Sequence, residues 1–154
     1  MEPWHATVGL PTTTGKRRHS SRGVGARPHV AIRGAPEVGD RQVANIATEN
    51  EAHSIGAHVW RPFLAAGRTS DVSPAWGLPE VPSTPFNGSV LVMWDFGGPA
   101  PPPENVPPPS IMPDPHAGPS SEPRSWQPWS DFMRPDGAFV DVCGGGPCQS
   151  NALG

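Results

Sequence analysis

The sequence predicts a mostly disordered, low-complexity chain with no stable globular fold. Three observations carry the prediction. Proline and glycine fill 23 and 18 of 154 positions without any period, a share typical of low-complexity chains. Leu, Ile, Val and Phe together number 27, short of the roughly one-fifth at which a core can be built. Prolines and glycines also cut the apolar residues into islands, and Asp40 to Ile55 is the one stretch longer than ten residues free of both. The net charge of -3 gives little self-repulsion, so the expected state is a compact, fluctuating coil. Six Trp and four Met offset the aliphatic deficit only in part.

Four regions follow from composition: a basic flexible arm at 1–36, a weakly structured region at 37–98, a proline-rich linker at 99–123, and an aromatic and Gly/Cys tail at 124–154. Charge is also uneven along the chain. Residues 1–42 carry a balance of +4 and the remainder -7, with the positive excess concentrated between Lys16 and Arg33. The run KRRHSSR places Lys16, Arg17, Arg18 and Arg22 together as a basic patch suited to nucleic-acid phosphates or a nuclear-import receptor. Aromatic interleaving, which single-strand stacking would call for, is missing there. Arg17 and Arg18 lie three and two residues before Ser20, a pattern similar to basophilic kinase sites. Phosphate on Ser20 would add about -1.5 to -2 charge and largely cancel the patch.

The stretch DRQVANIATENEAHSI, about 40–55, is the one short helix expected. Asp40 follows Gly39 as an N-cap, Gly56 is the stop, and Val43, Ile46, Ala47 and Ile55 recur on one face. Its apolar stripe is thin, so the helix needs a partner surface. SVLVMWDF at 89–96 reads as a strand between the turn pairs Asn87-Gly88 and Gly97-Gly98, and AFVDVC at 138–143 as a second, shorter one. His29 to Arg33 is a third candidate. Between Pro99 and Pro123, eleven of twenty-five residues are proline, which predicts polyproline II or coil rather than helix. Pro79 to Pro82 and Pro82 to Pro85 form two P-x-x-P units, without the flanking cation that Src-homology-3 ligands use. With no Tyr in the chain, the common WW-domain ligand is excluded.

SWQPWSDFMR offers a docking segment. Trp129, Phe132 and Met133 fall on one face of a short helix, with Trp126 three residues earlier. Pro128 belongs in its first turn and Pro135 beyond its end. Transcription-activation segments look like this and fold on docking into an apolar groove. Cys143 and Cys148 can close a local disulfide worth roughly 2 kcal/mol in the chain-entropy model. The simpler expectation is two free thiols in a flexible tail.

Catalysis is not expected. GLPTTTGKR has five residues between its glycines where a phosphate loop needs four, and Arg17 stands where the hydroxyl residue belongs. No Gly-x-Ser-x-Gly elbow or His-Glu-x-x-His pair occurs, and the six histidines do not cluster at ligand spacing. Tetrahedral zinc needs four ligands, which the cysteine loop lacks. Nothing in the sequence builds the partly desolvated pocket that tunes a catalytic carboxylate. No cofactor and no small-molecule substrate are expected. The opening MEPWHATVGLPTTTGKRR has no apolar centre, and no run approaches the ~20 residues of a membrane span. A nuclear or cytoplasmic location is favoured, with no membrane contact.

The functional expectation is therefore a non-enzymatic protein acting through linear motifs, with a protein partner on the aromatic or proline-rich segment. The alternatives are the product of a young or incidental GC-rich reading frame without defined biochemistry, and nucleic-acid contact through the basic arm.

Overall fold

Residues 89–96 thread the middle of the structure and change partner halfway along. The computed structural model describes residues 37–104, 106, 110–111 and 113–151. His58–Val59 (β1) pairs in parallel with Val90–Leu91 (β2), His58 opposite Val90 and Val59 opposite Leu91. Trp94–Asp95 (β3) pairs in parallel with Cys148–Gln149 (β4), Trp94 opposite Cys148. Single bridges widen both pairs: Val59 meets Glu80, and Trp94 meets Glu37. The strand expected at 89–96 thus exists as two short pieces on different neighbours, with the switch at Val92–Met93.

The strand expected at 138–143 does not form. Phe139 makes one antiparallel bridge to Phe86, exchanging backbone hydrogen bonds of 2.8 and 2.9 Å. Beyond it the Asp141 carboxylate captures the N–H groups of Cys143 and Gly145, at 2.7 and 2.6 Å, and turns the chain out of extended geometry.

The expected helix is present as Asn45–Ser54 (α1), shorter at its start than 40–55. Asp40 is not its cap: the N-cap is Ala44, without a side-chain hydrogen bond, and Asp40 Oδ1 instead closes a local turn by accepting from the N–H groups of Gln42 and Val43, at 2.7 and 3.0 Å. The stop is as read. Gly56 takes a left-handed φ of +67°, Gly56 N–H donates to His53 O, and Ala57 N–H donates to Ala52 O. These are the two bonds of a Schellman motif, which glycine enters without a Cβ clash. Of the expected apolar stripe, Ile55 packs against the core, but the rest faces solvent. Val43 and Ile46 are 41% and 55% exposed, while Thr48, Glu49 and Ala52 are buried.

The proline-rich stretch is not confined to coil. A 3-10 turn at Pro115–Ala117 runs into Gly118–Ser121 (α2), followed by Pro123–Phe132 (α3). Each begins with proline in its first turn, where the missing N–H has no intrahelical partner to lose. Gly118 lies so close to the Phe96 ring that a Cβ there would approach it to 2.5 Å.

Residues 37–151 are a compact folded domain, which overturns the expectation of a mostly disordered chain. Val38, Ala52, Ala57, Val59, Phe63, Ala75, Leu78, Leu91 and Met93 form one buried cluster. Trp94, Phe96 and Cys148 form a second, flanked by Trp60, Val92 and Val142. Alanine, methionine, tryptophan and cysteine make up much of this interior, and a count of Leu, Ile, Val and Phe leaves them out. Prolines and glycines serve as the corners that bring the islands together.

Candidate functional site

α3 is built to be held on one side and open on the other. Its N-cap is Glu122, whose carboxylate accepts from Arg124 N–H at 3.0 Å, and Pro123 fills the first position. Arg124 ties this end to the body. Its guanidinium pairs with Glu122, donates to Gln149 O at 2.7 Å, and lies 5.6 Å from the centre of the Trp94 ring. The Arg124 hydrogen bonds, opposed by burial and aided by Ser150, hold the Glu122 carboxyl down at about 2. At the other end Phe132 is buried at 7% exposure. The helix starts earlier than the sequence implies, so Pro128 sits inside it rather than in its first turn.

The outer face carries Trp126, 51% exposed, and Met133, 65% exposed. They are seven residues apart, two turns along one stripe. Trp129 lies between them, its ring edge-on to Trp126 with centroids 6.4 Å apart. The expected grouping of Trp126, Trp129, Phe132 and Met133 is therefore divided by exposure: Trp126 and Met133 stand out to solvent, Trp129 is half-buried, and Phe132, one turn beyond Trp129, is buried. Asp131 pairs with Arg134 at 3.5 Å near the end of the helix. The helix is formed within the folded chain, which corrects the expectation that it would order only on docking.

Cys143 and Cys148 are joined in a disulfide, in place of two free thiols. Cys148 is 2% exposed and opens β4, so the bond ties the loop to the second core cluster rather than to a loose tail. Trp60 Nε1 donates to Gly146 O at 3.3 Å across the same loop. In the first P-x-x-P unit, Pro79 O accepts from Val59 N–H and Val81 N–H donates to Val59 O. Its backbone is engaged with β1. Lys16, Arg17, Arg18, Arg22 and Ser20 lie outside the described residues, as does the strand candidate at 29–33.

Sequence reasoning missed one group. Glu37, Asp40 and His116 each bring a ligand-type atom to within 4.8 Å of the others. No spacing rule joins residues up to 79 positions apart, and the signal available was only two turn sequences with one Asp each, Gly39-Asp40 and Asp114-Pro115-His116. The expectation that nothing here desolvates a carboxylate gives way at Glu37, which is 4% exposed. Burial first, then the hydrogen bond and negative charge of Asp40, push its carboxyl up to about 9. Burial also works against ionisation of Asp40, but N–H groups of Val43 and Gln42 and the His116 ring hold it below the usual range.

Among the described residues, no helix is long and apolar enough to cross a membrane. Compared with protein-family models, curated proteins and solved structures, the chain matches none of them.

Proposed function

We propose that this protein is a non-enzymatic docking domain that offers the outer face of α3 to a protein partner with an apolar groove. One observation carries the reading. A tryptophan and a methionine, both more than half exposed, lie on one stripe of a helix that Phe132 and Arg124 anchor to the body. Large apolar groups close together on a surface are the usual mark of an interaction site, and each leaves a part of the roughly 1.5 to 3 kcal/mol of full burial unrealised. Tryptophan is also the residue most enriched among binding hot spots, and methionine adapts to irregular surfaces. Because the helix is already ordered, docking costs no folding entropy, unlike a disordered activation segment.

The test is paired capture from cell extract with the full chain, with partners identified by mass spectrometry. Trp126→Ala with Met133→Ala abolishes one specific partner while the thermal melt is unchanged. Lys16, Arg17 and Arg18 changed together to Ala leave that partner bound. Retention that depends on the basic arm, and weakens steeply with salt on a polyanion column, replaces this reading with nucleic-acid contact.

A further inference from the structure

Outside the α3 face, a polar group lies where residues 37–42 meet the 3-10 turn at 115–117. Asp114 fastens the two segments. Its Oδ1 accepts from the backbone N–H of Arg41 at 3.3 Å and of His116 at 3.1 Å, and its Oδ2 accepts from Gln42 Nε2 at 3.2 Å. Asp40 is oriented by its own turn. Oδ1 is taken up by two backbone N–H groups, which leaves Oδ2 turned to His116 Nδ1 at 2.9 Å. Glu37 is fixed through its backbone: Asn45 Nδ2 donates to its carbonyl at 3.1 Å, and Glu37 bridges Trp94 in the core. Side chains from two separated turns, Glu37 and Asp40 on one and His116 on the other, are thus brought to one place by a scaffold of hydrogen bonds, most of them to backbone.

We propose that Glu37, Asp40 and His116 bind one divalent transition-metal ion of the zinc class. The donor set is one imidazole nitrogen and two carboxylate oxygens, which suits zinc and its borderline neighbours better than calcium or magnesium, for which all-oxygen sets are usual. Three protein ligands leave a fourth position for water. Metal–ligand bonds of about 2.0 to 2.2 Å put tetrahedral ligands roughly 3.3 to 3.6 Å apart. Separations of at most 4.8 Å close to that spacing with side-chain shifts of about an ångström. His116, the more exposed partner at 41% of its side chain, has room to make them.

Burial points the same way. Glu37 is 4% exposed, and its carboxylate oxygen lies within 4.8 Å of an Asp40 oxygen and a His116 ring nitrogen. Carboxylates taken out of water are stabilised by a cation that meets them directly. A divalent ion meets both carboxylates and the imidazole together. The hydrogen bonds to Asp40 and Asp114 then act as outer support that keeps the ligands aimed.

The experiment titrates zinc chloride into the chelator-treated full chain by calorimetry, with the disulfide closed and no thiol present. The expected result is one saturable site per chain and a raised melting temperature. Glu37→Gln keeps a hydrogen-bonding group of the same shape at this buried position and removes the carboxylate ligand, so the domain is expected to fold and the metal site to be lost. His116→Ala removes the nitrogen donor at an exposed position. Outer-sphere changes alone cost metal affinity about 10- to 100-fold, so each variant is expected to weaken zinc by roughly a hundredfold or more. The proposal is overturned by the absence of one-to-one binding, by calcium binding as tightly as zinc, or by affinity unchanged in His116→Ala. That last result would assign the metal to other histidines, and it decides the matter even where Glu37→Gln is poorly folded.

Discussion

Arg68 closes a bidentate pair on Asp95, its Nε meeting Oδ2 and its Nη2 meeting Oδ1 at 2.7 Å, with the carboxylate 3% exposed. The same guanidinium donates to Gly98 O, and Asp95 Oδ1 accepts from Gly97 N–H at 2.8 Å. The pair pins the loop after β1 to the end of β3, two segments 27 residues apart in sequence.

Removing one partner of a buried pair leaves an uncompensated charge, which costs about 3 to 5 kcal/mol. Arg68→Ala is expected to destabilise the domain by that order. Arg68→Lys should recover only part of it, since an ammonium cannot match both oxygens in the plane. Urea unfolding followed by tryptophan fluorescence measures both. A loss below about 1 kcal/mol for the alanine variant would mean the pair behaves as a surface ion pair.

Acid stability has a definite sign at Glu122. Its carboxyl is depressed from 4.5 to about 2 in the folded state, chiefly by Arg124, so the folded form stays ionised where the unfolded form takes up a proton. Its contribution is fully present above 4.5 and is lost as pH falls towards 2. Glu37, whose carboxyl is raised, is protonated in both states below 4.5 and adds no slope there. Glu122→Gln is therefore expected to be less stable than the parent at pH 6 and to approach it at pH 2. Denaturant midpoints taken across that range test this, and a constant gap between the two curves counts against it.

How much of this was legible beforehand varies with the range of the contact. The existence of α1 and its stop at Gly56 were legible because both depend on neighbours within a turn. The buried side of α1 was not. Glu49 turns inward because its carboxylate accepts Ala75 N–H at 3.1 Å, a contact across 26 residues that no hydrophobic periodicity encodes. SVLVMWDF announces an extended segment, but His58 opposite Val90 and Trp94 opposite Cys148 are pairings across long intervening stretches. His58–Val59, only two residues of strand, leaves no alternating pattern to read. The outward pair of Trp126 and Met133 was half legible: helical spacing gave the group, and only the fold shows Trp129 half-buried and Phe132 buried. Glu37, Asp40 and His116 were invisible because their meeting depends on Asp114 joining two turns.

Opening the disulfide should loosen more than its own small loop. A ring of that size is worth roughly 2 kcal/mol through the unfolded chain. Cys148 is also the first residue of β4, and Ser150 N–H donates to Asp95 O just beyond it at 2.9 Å. Reduction, or Cys143→Ser with Cys148→Ser, is expected to lower the melting temperature by several degrees and to deprotect the amides of 148–150 in hydrogen exchange. Protection there that survives reduction would show that β4 is held by its ladder alone.

The division of α3 into an anchor and a presented face makes the sharpest contrast among single substitutions. Phe132 is 7% exposed, and deleting a buried phenylalanine ring costs about 3 to 5 kcal/mol in lost transfer energy and cavity. Trp126 and Met133 are more than half exposed, so their truncation should change stability by less than about 0.5 kcal/mol each. Chemical melts of Phe132→Ala, Trp126→Ala and Met133→Ala should separate the first from the other two by several-fold. The ordering matters for function because a residue that holds the fold and a residue that meets a partner fail in different ways. Trp126→Ala should lose the partner from a folded chain, whereas Phe132→Ala should lose it only as far as α3 itself comes loose. Equal destabilisation by all three would mean that Trp126 and Met133 are packed against the body, and the face proposed for docking would not be free to dock.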